Sequence, residues 1–223
     1  MSVPDQRAAW ARPTRGEHRW PPALAIAASI ALQMLLPDHL VPPARYALPA
    51  LELGLLVALV LINPFRIDRE SDLLRWAALG LTGLVGLANA WSVALLVVDL
   101  LGNRQGSAVA LLGSGGAIWA NNVVAFALIY WELDRGGPAA RAAARSDRPD
   151  FLFPQMQNPD LAGRDWEPVF FDYLYLSFTN VTAFSPTDVM PLSRWAKATM
   201  MVQAAVSLVL VVLVVARAIN ALA

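Results

Sequence analysis

Thr182, Ser185, Thr187 and Asp188 place three hydroxyls and a carboxylate within the short stretch "NVTAFSPTDVMP". Oxygen donors gathered this closely suit a partly dehydrated cation better than they suit bond-making chemistry. No nucleophile with a base stands near them. The chain has no cysteine, and His18 and His39 lie outside its apolar blocks, where they read as solvated surface residues without ligand-spaced partners. Neither a metal nor a cofactor is expected. The stretch "GSGGA" at 113–117 sets Ser114 between glycines. It lacks the preceding strand and third glycine of a dinucleotide fingerprint, and no histidine in any apolar block can serve a serine nucleophile. The reading is of a protein that is not an enzyme.

The elements that must position these oxygens are read from hydropathy. Of 223 residues 57% are hydrophobic and 15% charged, and the apolar ones fall in long blocks, so lipid is the expected solvent. Basic and acidic residues balance at 17 each, which gives no bulk charge for nucleic acid. An apolar helix needs about 20 residues to cross a core of roughly 30 Å. Five blocks approach that length: 20–36, 46–62, 76–98, 107–131 and 195–219. The first also resembles a signal-peptide core in length, but the proline-rich sequence after it offers no small-residue cleavage site, and it reads as an uncleaved span. Trp20, Trp76, Trp131 and Trp195 mark block edges, as in an aromatic belt. With the N-terminus inside, only Arg45, Arg104 and Arg217 of the 17 basic residues fall on the outer side. The positive-inside rule therefore orients the chain with its N-terminus and residues 132–168 in the cytoplasm of a cell (plasma) membrane.

The hydroxyl-rich stretch follows a segment too short to span. Between Pro168 and Phe184 about fifteen residues, "VFFDYLYLSFTNVTA", allow a helix of roughly 20 Å, and Ser185-Pro186 stops it. A half-helix, a turn and then a full span make a re-entrant loop, which protein must cover or which must line a watery cavity. The sequence "FDYLYLSFTNVTAFSPTDVMPLSRWAKATMMVQAAVSLVLVVLVVARAI" resembles the pore loop and inner helix of the tetrameric potassium-channel superfamily. In that register Thr182 takes the entry threonine, Asp188 the aspartate after the signature and Pro191 the following proline. The resemblance implies a tetramer with the loop at its axis. Where that family has Thr-Val-Gly-Tyr-Gly, this chain reads Ala183-Phe184-Ser185-Pro186-Thr187, so its filter is degenerate. Replacing both glycines removes backbone angles that the potassium filter uses, and potassium selectivity of the usual kind is not expected. The stretch is also similar to an uncharacterised bacterial multi-span membrane family with an aromatic-Thr-x-Phe-x-x-Thr-Asp loop. Cytoplasmic entry of the loop is opposite to the potassium channels and resembles that of glutamate-receptor channels.

Other polar groups lie inside apolar blocks. Glu52 reads either as a protonated, helix-facing carboxyl or as a proton carrier. Asn121 and Asn122 point about 100° apart, so at least one faces another helix. Gln203 and Ser207 share one face of the last span, where they could line a pathway or join subunits. Gly80, Gly83, Gly86, Ala90 and Ala94 form a small-residue face suited to close helix packing. The arginines of 132–168 are interrupted by Glu132, Asp134, Asp147 and Asp150 and read as a solvated face, with Phe151, Phe153 and Trp166 anchoring an interfacial segment.

The expectation is an all-α, multi-pass membrane helical bundle of five spans with one re-entrant pore-like loop before the last helix. Its parts are a cytoplasmic segment 1–19, a four-span region 20–131, a linker 132–168 and a half-helix, loop and last span 169–223. Passive ion conduction is the leading function, with Asn180, Thr182, Ala183, Phe184, Ser185, Pro186, Thr187 and Asp188 along the pathway. Partners are the bilayer, further copies of the chain and monovalent cations. A non-conducting membrane scaffold is the first rival, and a proton-linked transporter using Glu52 is the second.

Overall fold

Three serines open the three longest helices. Ser71 Oγ accepts from the Leu74 N–H at 3.3 Å, Ser107 Oγ from the Ala110 N–H at 3.2 Å and Ser193 Oγ from the Ala196 N–H at 3.3 Å. Each satisfies a backbone donor that a helix start leaves unpaired. In this computed structural model the described residues are 8–42, 45–67, 71–102, 107–158, 160, 162–163, 165–182 and 188–220. The helices are α1 (Trp20–Leu35), α2 (Ala47–Ile62), α3 (Asp72–Leu101), α4 (Ala108–Leu133), α5 (Pro138–Ala142), α6 (Pro154–Gln157), α7 (Phe170–Thr182) and α8 (Arg194–Asn220). Two short strands, β1 (Phe151–Leu152) and β2 (Met190–Pro191), pair antiparallel with Phe151 opposite Pro191.

Helix α4 is the hub. It packs against α1, α3, α7 and α8, while α2 lies against α1 and α3. Helices α3, α4 and α8 are long and apolar enough to cross a membrane, whereas α1 and α2 are apolar but 16 residues each, roughly 24 Å. The outer surface is correspondingly greasy: Leu61, Phe65, Leu73, Val109 and Met201 are all largely exposed. An apolar surface of that extent needs lipid or another protein against it.

The buried core has two apolar regions. One joins Leu81, Val85, Ala125, Leu128, Phe151, Tyr173 and Met200; the other joins Leu96, Leu111, Ile118, Leu210 and Val214. In chain order along α3, α4 and α8 a polar layer falls between them: Asn89 and Ser92, Asn121 and Asn122, and Gln203 and Ser207, all buried. After α4 the chain turns through Arg135, Gly136 and Gly137, all at positive φ. Gly137 has φ +97°, and a Cβ there would lie 2.9 Å from the Glu132 carbonyl oxygen, so only glycine fits.

Several expectations are corrected at this level. Phe151 and Phe153 are buried among Tyr130, Tyr173, Trp166 and Trp195 rather than anchored in an interface, because the β1–β2 pairing draws them beneath α7 and α8. Arg135 and Arg141 are buried instead of solvated, since backbone carbonyls and carboxylates surround them. Trp20 and Trp76 do stand exposed at helix ends, but Trp131 is buried and Trp195 donates to Asp150. Most of the glycine face of α3 does not meet a helix: a Cβ on Gly80 or Gly83 would touch nothing within 4 Å, and only Gly86 approaches α4, with Ile129 at 3.6 Å. The buried side of α3 carries Leu81, Thr82, Val85, Ala88, Asn89 and Ser92 instead. Close packing occurs in "GSGGA", where a Cβ on Gly115 would come within 2.7 Å of Val214.

Candidate functional site

The site is built on α7, thirteen residues long, whose inner face buries Phe170, Tyr173, Leu176 and Ser177. Asp172 starts the helix by accepting from the Val169 N–H at 2.8 Å. The first turn is fixed at the arginine-rich end of the bundle: the Phe170 ring packs edge-on to Trp131, and its N–H donates to Glu17 at 2.8 Å. Higher up, Ser177 Oγ donates to the Val123 carbonyl at 2.7 Å, tying α7 to α4. Near the far end Asn180 donates to the Met200 carbonyl at 3.1 Å and to Gln203 Oε1 at 2.8 Å, tying it to α8. By Met190–Pro191 the chain is again beside Phe151, which also touches Tyr173 and Trp195. Residues 170 and 191 are therefore at the same end of the bundle, with Asn180 two to three helical turns away from it.

Of the expected pathway residues, Thr182 is exposed and its hydroxyl donates to the Phe178 carbonyl at 2.9 Å, the usual bond of a helical threonine. Asp188 is exposed. Ala183, Phe184, Ser185, Pro186 and Thr187 lie outside the described residues. The opposite face of α7 presents Phe171, Tyr175 and Phe178 outward as an aromatic stripe.

The polar residues inside the apolar helices are brought into two hydrogen-bonded groups. Glu52 Oε2 accepts from Gln33 at 3.0 Å, and Gln33 reaches Ser29 at 3.4 Å. Ser29 donates to Asn121 at 2.6 Å, Asn121 to Asn89 at 3.3 Å, Asn89 to Asn122 at 2.9 Å and Asn122 to Ser207 at 2.9 Å. One turn along α8, Gln203 accepts from Tyr130 at 2.7 Å and donates to Ser177 Oγ at 2.6 Å. Gln203 and Ser207 thus face the interior of one chain and are not a subunit contact. Asn89, Gln33, Ser29, Ser177 and Tyr130 were missed by the sequence reading. For Asn89, Gln33, Ser29 and Tyr130 the signal was the same as that of Asn121, a polar side chain inside an apolar block, whereas Ser177 lies in the half-helix. Glu52 is fully buried, and its Oε1 has no hydrogen-bond partner among the described residues.

At the arginine-rich end Glu17 fastens the N-terminal segment. Its carboxylate accepts from Trp131, from the Phe170 N–H and from Arg141 at 3.2 Å. Burial pushes the Glu17 carboxyl above its ordinary value, opposed by the Arg141 guanidinium and these donors. Tyr173 donates to Asp134 at 2.5 Å, and Asp134 in turn accepts from the Asp150 N–H at 2.9 Å. No group of His, Asp and Glu among the described residues could hold a metal ion.

The fold and these contacts define the class: a helical protein with three helices able to cross a membrane, bonded through a buried polar layer. No protein-family model matches the chain, and no curated protein or solved structure is found to be similar to it.

Proposed function

We propose that the protein is a multi-pass membrane protein that forms a passive ion pathway of the pore-loop type. In this reading α1 and α2 complete five spans, and residues 170–190 dip into hydrocarbon and return to the cytoplasmic face. One relationship carries it: Phe151 touches both Tyr173 at the base of α7 and Trp195 at the base of α8, while Asn180 bonds to α8 further in. A short helix that leaves and rejoins one end of a bundle has the shape of a pore helix. The exposed stripe of Phe171, Tyr175 and Phe178, the last of them packed edge-on to Trp119, supplies a face for neighbouring copies around an axis, with four copies favoured. Asp188 and the hydroxyls of Thr182, Ser185 and Thr187 then set the field for monovalent cations without the usual potassium selectivity.

Purified protein in liposomes tests this directly. Cation flux that is lost in Asp188→Ala and blocked in Ser185→Trp is expected; no flux under any gradient or pH overturns the reading. The second reading is a non-conducting scaffold. It is favoured by the bonding of Ser177 and Asn180, which are both satisfied within the chain and leave the inner face of α7 closed.

A further inference from the structure

Arg19, Asn63, Arg75 and Glu132 stand at the ends of four different helices and ring the mouth of one pocket. Arg19 immediately precedes α1, Asn63 follows α2, Arg75 is in the first turn of α3 and Glu132 is in the last turn of α4. The pocket encloses about 660 Å³ including its open mouth, and its deeper walls are Ile26, Leu56, Leu59, Leu81 and Leu128. Most of that figure is space open to the surroundings: the cavity itself is about 60 Å³, so a bound chain would lie only partly inside it. The charged groups are at the helix ends and the walls further along the helices are mainly apolar, with Thr82 the polar exception, which matches a molecule with a charged head and a hydrocarbon tail.

The charges at the mouth do not cancel. Arg75 donates to both the carboxylate and the backbone carbonyl of Glu132, so that pair is committed. Nearby, Arg141 is committed to Glu17. Arg19 is left: its Nε is buried without a hydrogen-bond partner among the described residues. The Glu132 carboxylate attracts Arg19 but is already bonded to Arg75, so the Arg19 Nε–H is left without an acceptor that a further anion could supply. The surface beside the mouth is apolar, since Trp20, Leu73 and Trp76, chain neighbours of Arg19 and Arg75, are all exposed. Tryptophans at helix ends sit at headgroup depth, so the mouth opens where phosphates of a bilayer lie.

We propose that this pocket is a site for an anionic glycerophospholipid, with one acyl chain between α1, α2, α3 and α4 and the phosphate held by Arg19. None of the residues that line the pocket is on α7, and the site stands whether or not the loop conducts. It gives the shorter helices α1 and α2 a lipid that is bound as part of the bundle.

The test is native mass spectrometry of the detergent-purified full chain, titrated with phosphatidylglycerol, phosphatidylcholine or palmitate. Phosphatidylglycerol is expected to bind about fivefold more tightly than phosphatidylcholine, the scale of one arginine–anion contact at a membrane surface. Arg19→Gln is expected to abolish that preference while keeping weak binding of both lipids. Ala23→Phe, which fills the pocket from α1, is expected to reduce both. Equal affinity of the wild type for the two phospholipids overturns the proposal. So does a preference unchanged by both substitutions, and so does palmitate competing as well as phosphatidylglycerol, because the phosphate would then not be recognised.

Discussion

Gln203 Nε2 donates to Ser177 Oγ at 2.6 Å, joining α8 to α7 through two side chains that are both fully buried. The same amide accepts from Tyr130 and Asn180 through its oxygen. One glutamine therefore fixes how α7 sits against both α4 and α8.

Gln203→Leu removes that junction and strands the Tyr130 hydroxyl. A buried donor left unsatisfied costs about 1–3 kcal/mol, so the variant is expected to lose stability by that amount. Thermal unfolding in detergent checks it. Ser177→Ala is expected to cost less, because Gln203 Nε2 still donates to the Ser177 carbonyl at 3.3 Å.

Asn89 is the centre of the polar layer, donating to Asn122 and accepting from Asn121. Side-chain hydrogen bonds between membrane helices average about 0.6 kcal/mol, so Asn89→Ala is expected to cost about 1 kcal/mol. A double-mutant cycle with Asn122→Ala reads the coupling, which disappears if the two amides act independently.

Gly115→Ala and Gly83→Ala are expected to move in opposite directions. The first drives a Cβ to 2.7 Å from Val214 and forces α4 and α8 apart, an overpacking cost of about 1–3 kcal/mol. The second meets nothing within 4 Å and gains helix propensity of about 0.5–1 kcal/mol. Adding Val214→Ala to Gly115→Ala should restore most of the loss. Parallel melting curves of the four proteins decide the matter.

Glu17 makes stability depend on pH. Burial raises its folded-state value above the ordinary 4.5, so the folded state holds this proton more tightly than the unfolded chain does. The contribution is full below about pH 4.5 and is lost as pH rises through the folded value. Glu17→Gln removes the titration. The stability difference between wild type and variant, followed by unfolding at successive pH values, should therefore shift toward the variant as pH rises. A difference that is flat with pH, or that moves the other way, refutes it.

Much of the architecture was legible in the chain. The apolar blocks match α1–α4 and α8 within a few residues, and the half-helix expected between Pro168 and Phe184 is α7 from Phe170 to Thr182. Hydropathy and proline act locally, and a local signal survives reading one residue at a time. Glu52, Asn121, Asn122, Gln203 and Ser207 stood out for the same reason, as polar side chains where lipid or protein must surround them.

Which partner each of them meets was decided only by tertiary structure. That Asn122 bonds to Ser207 and Asn121 to Asn89 depends on how three helices are rotated about their axes, and sequence spacing sets a face but not what faces it. Gly80 and Gly83 of α3 illustrate the limit: small residues permit a close approach, yet the bundle turned these two outward and, among its helical glycines, made the tightest approach at Gly115. Arg135 and Arg141 illustrate it for charge. In sequence they read as solvated, but the turn at Gly136–Gly137 and the docking of Glu17 enclose them among carbonyls and carboxylates far apart in the chain. Burial of a charge is a sum over distant neighbours, and only the assembled bundle supplies that sum.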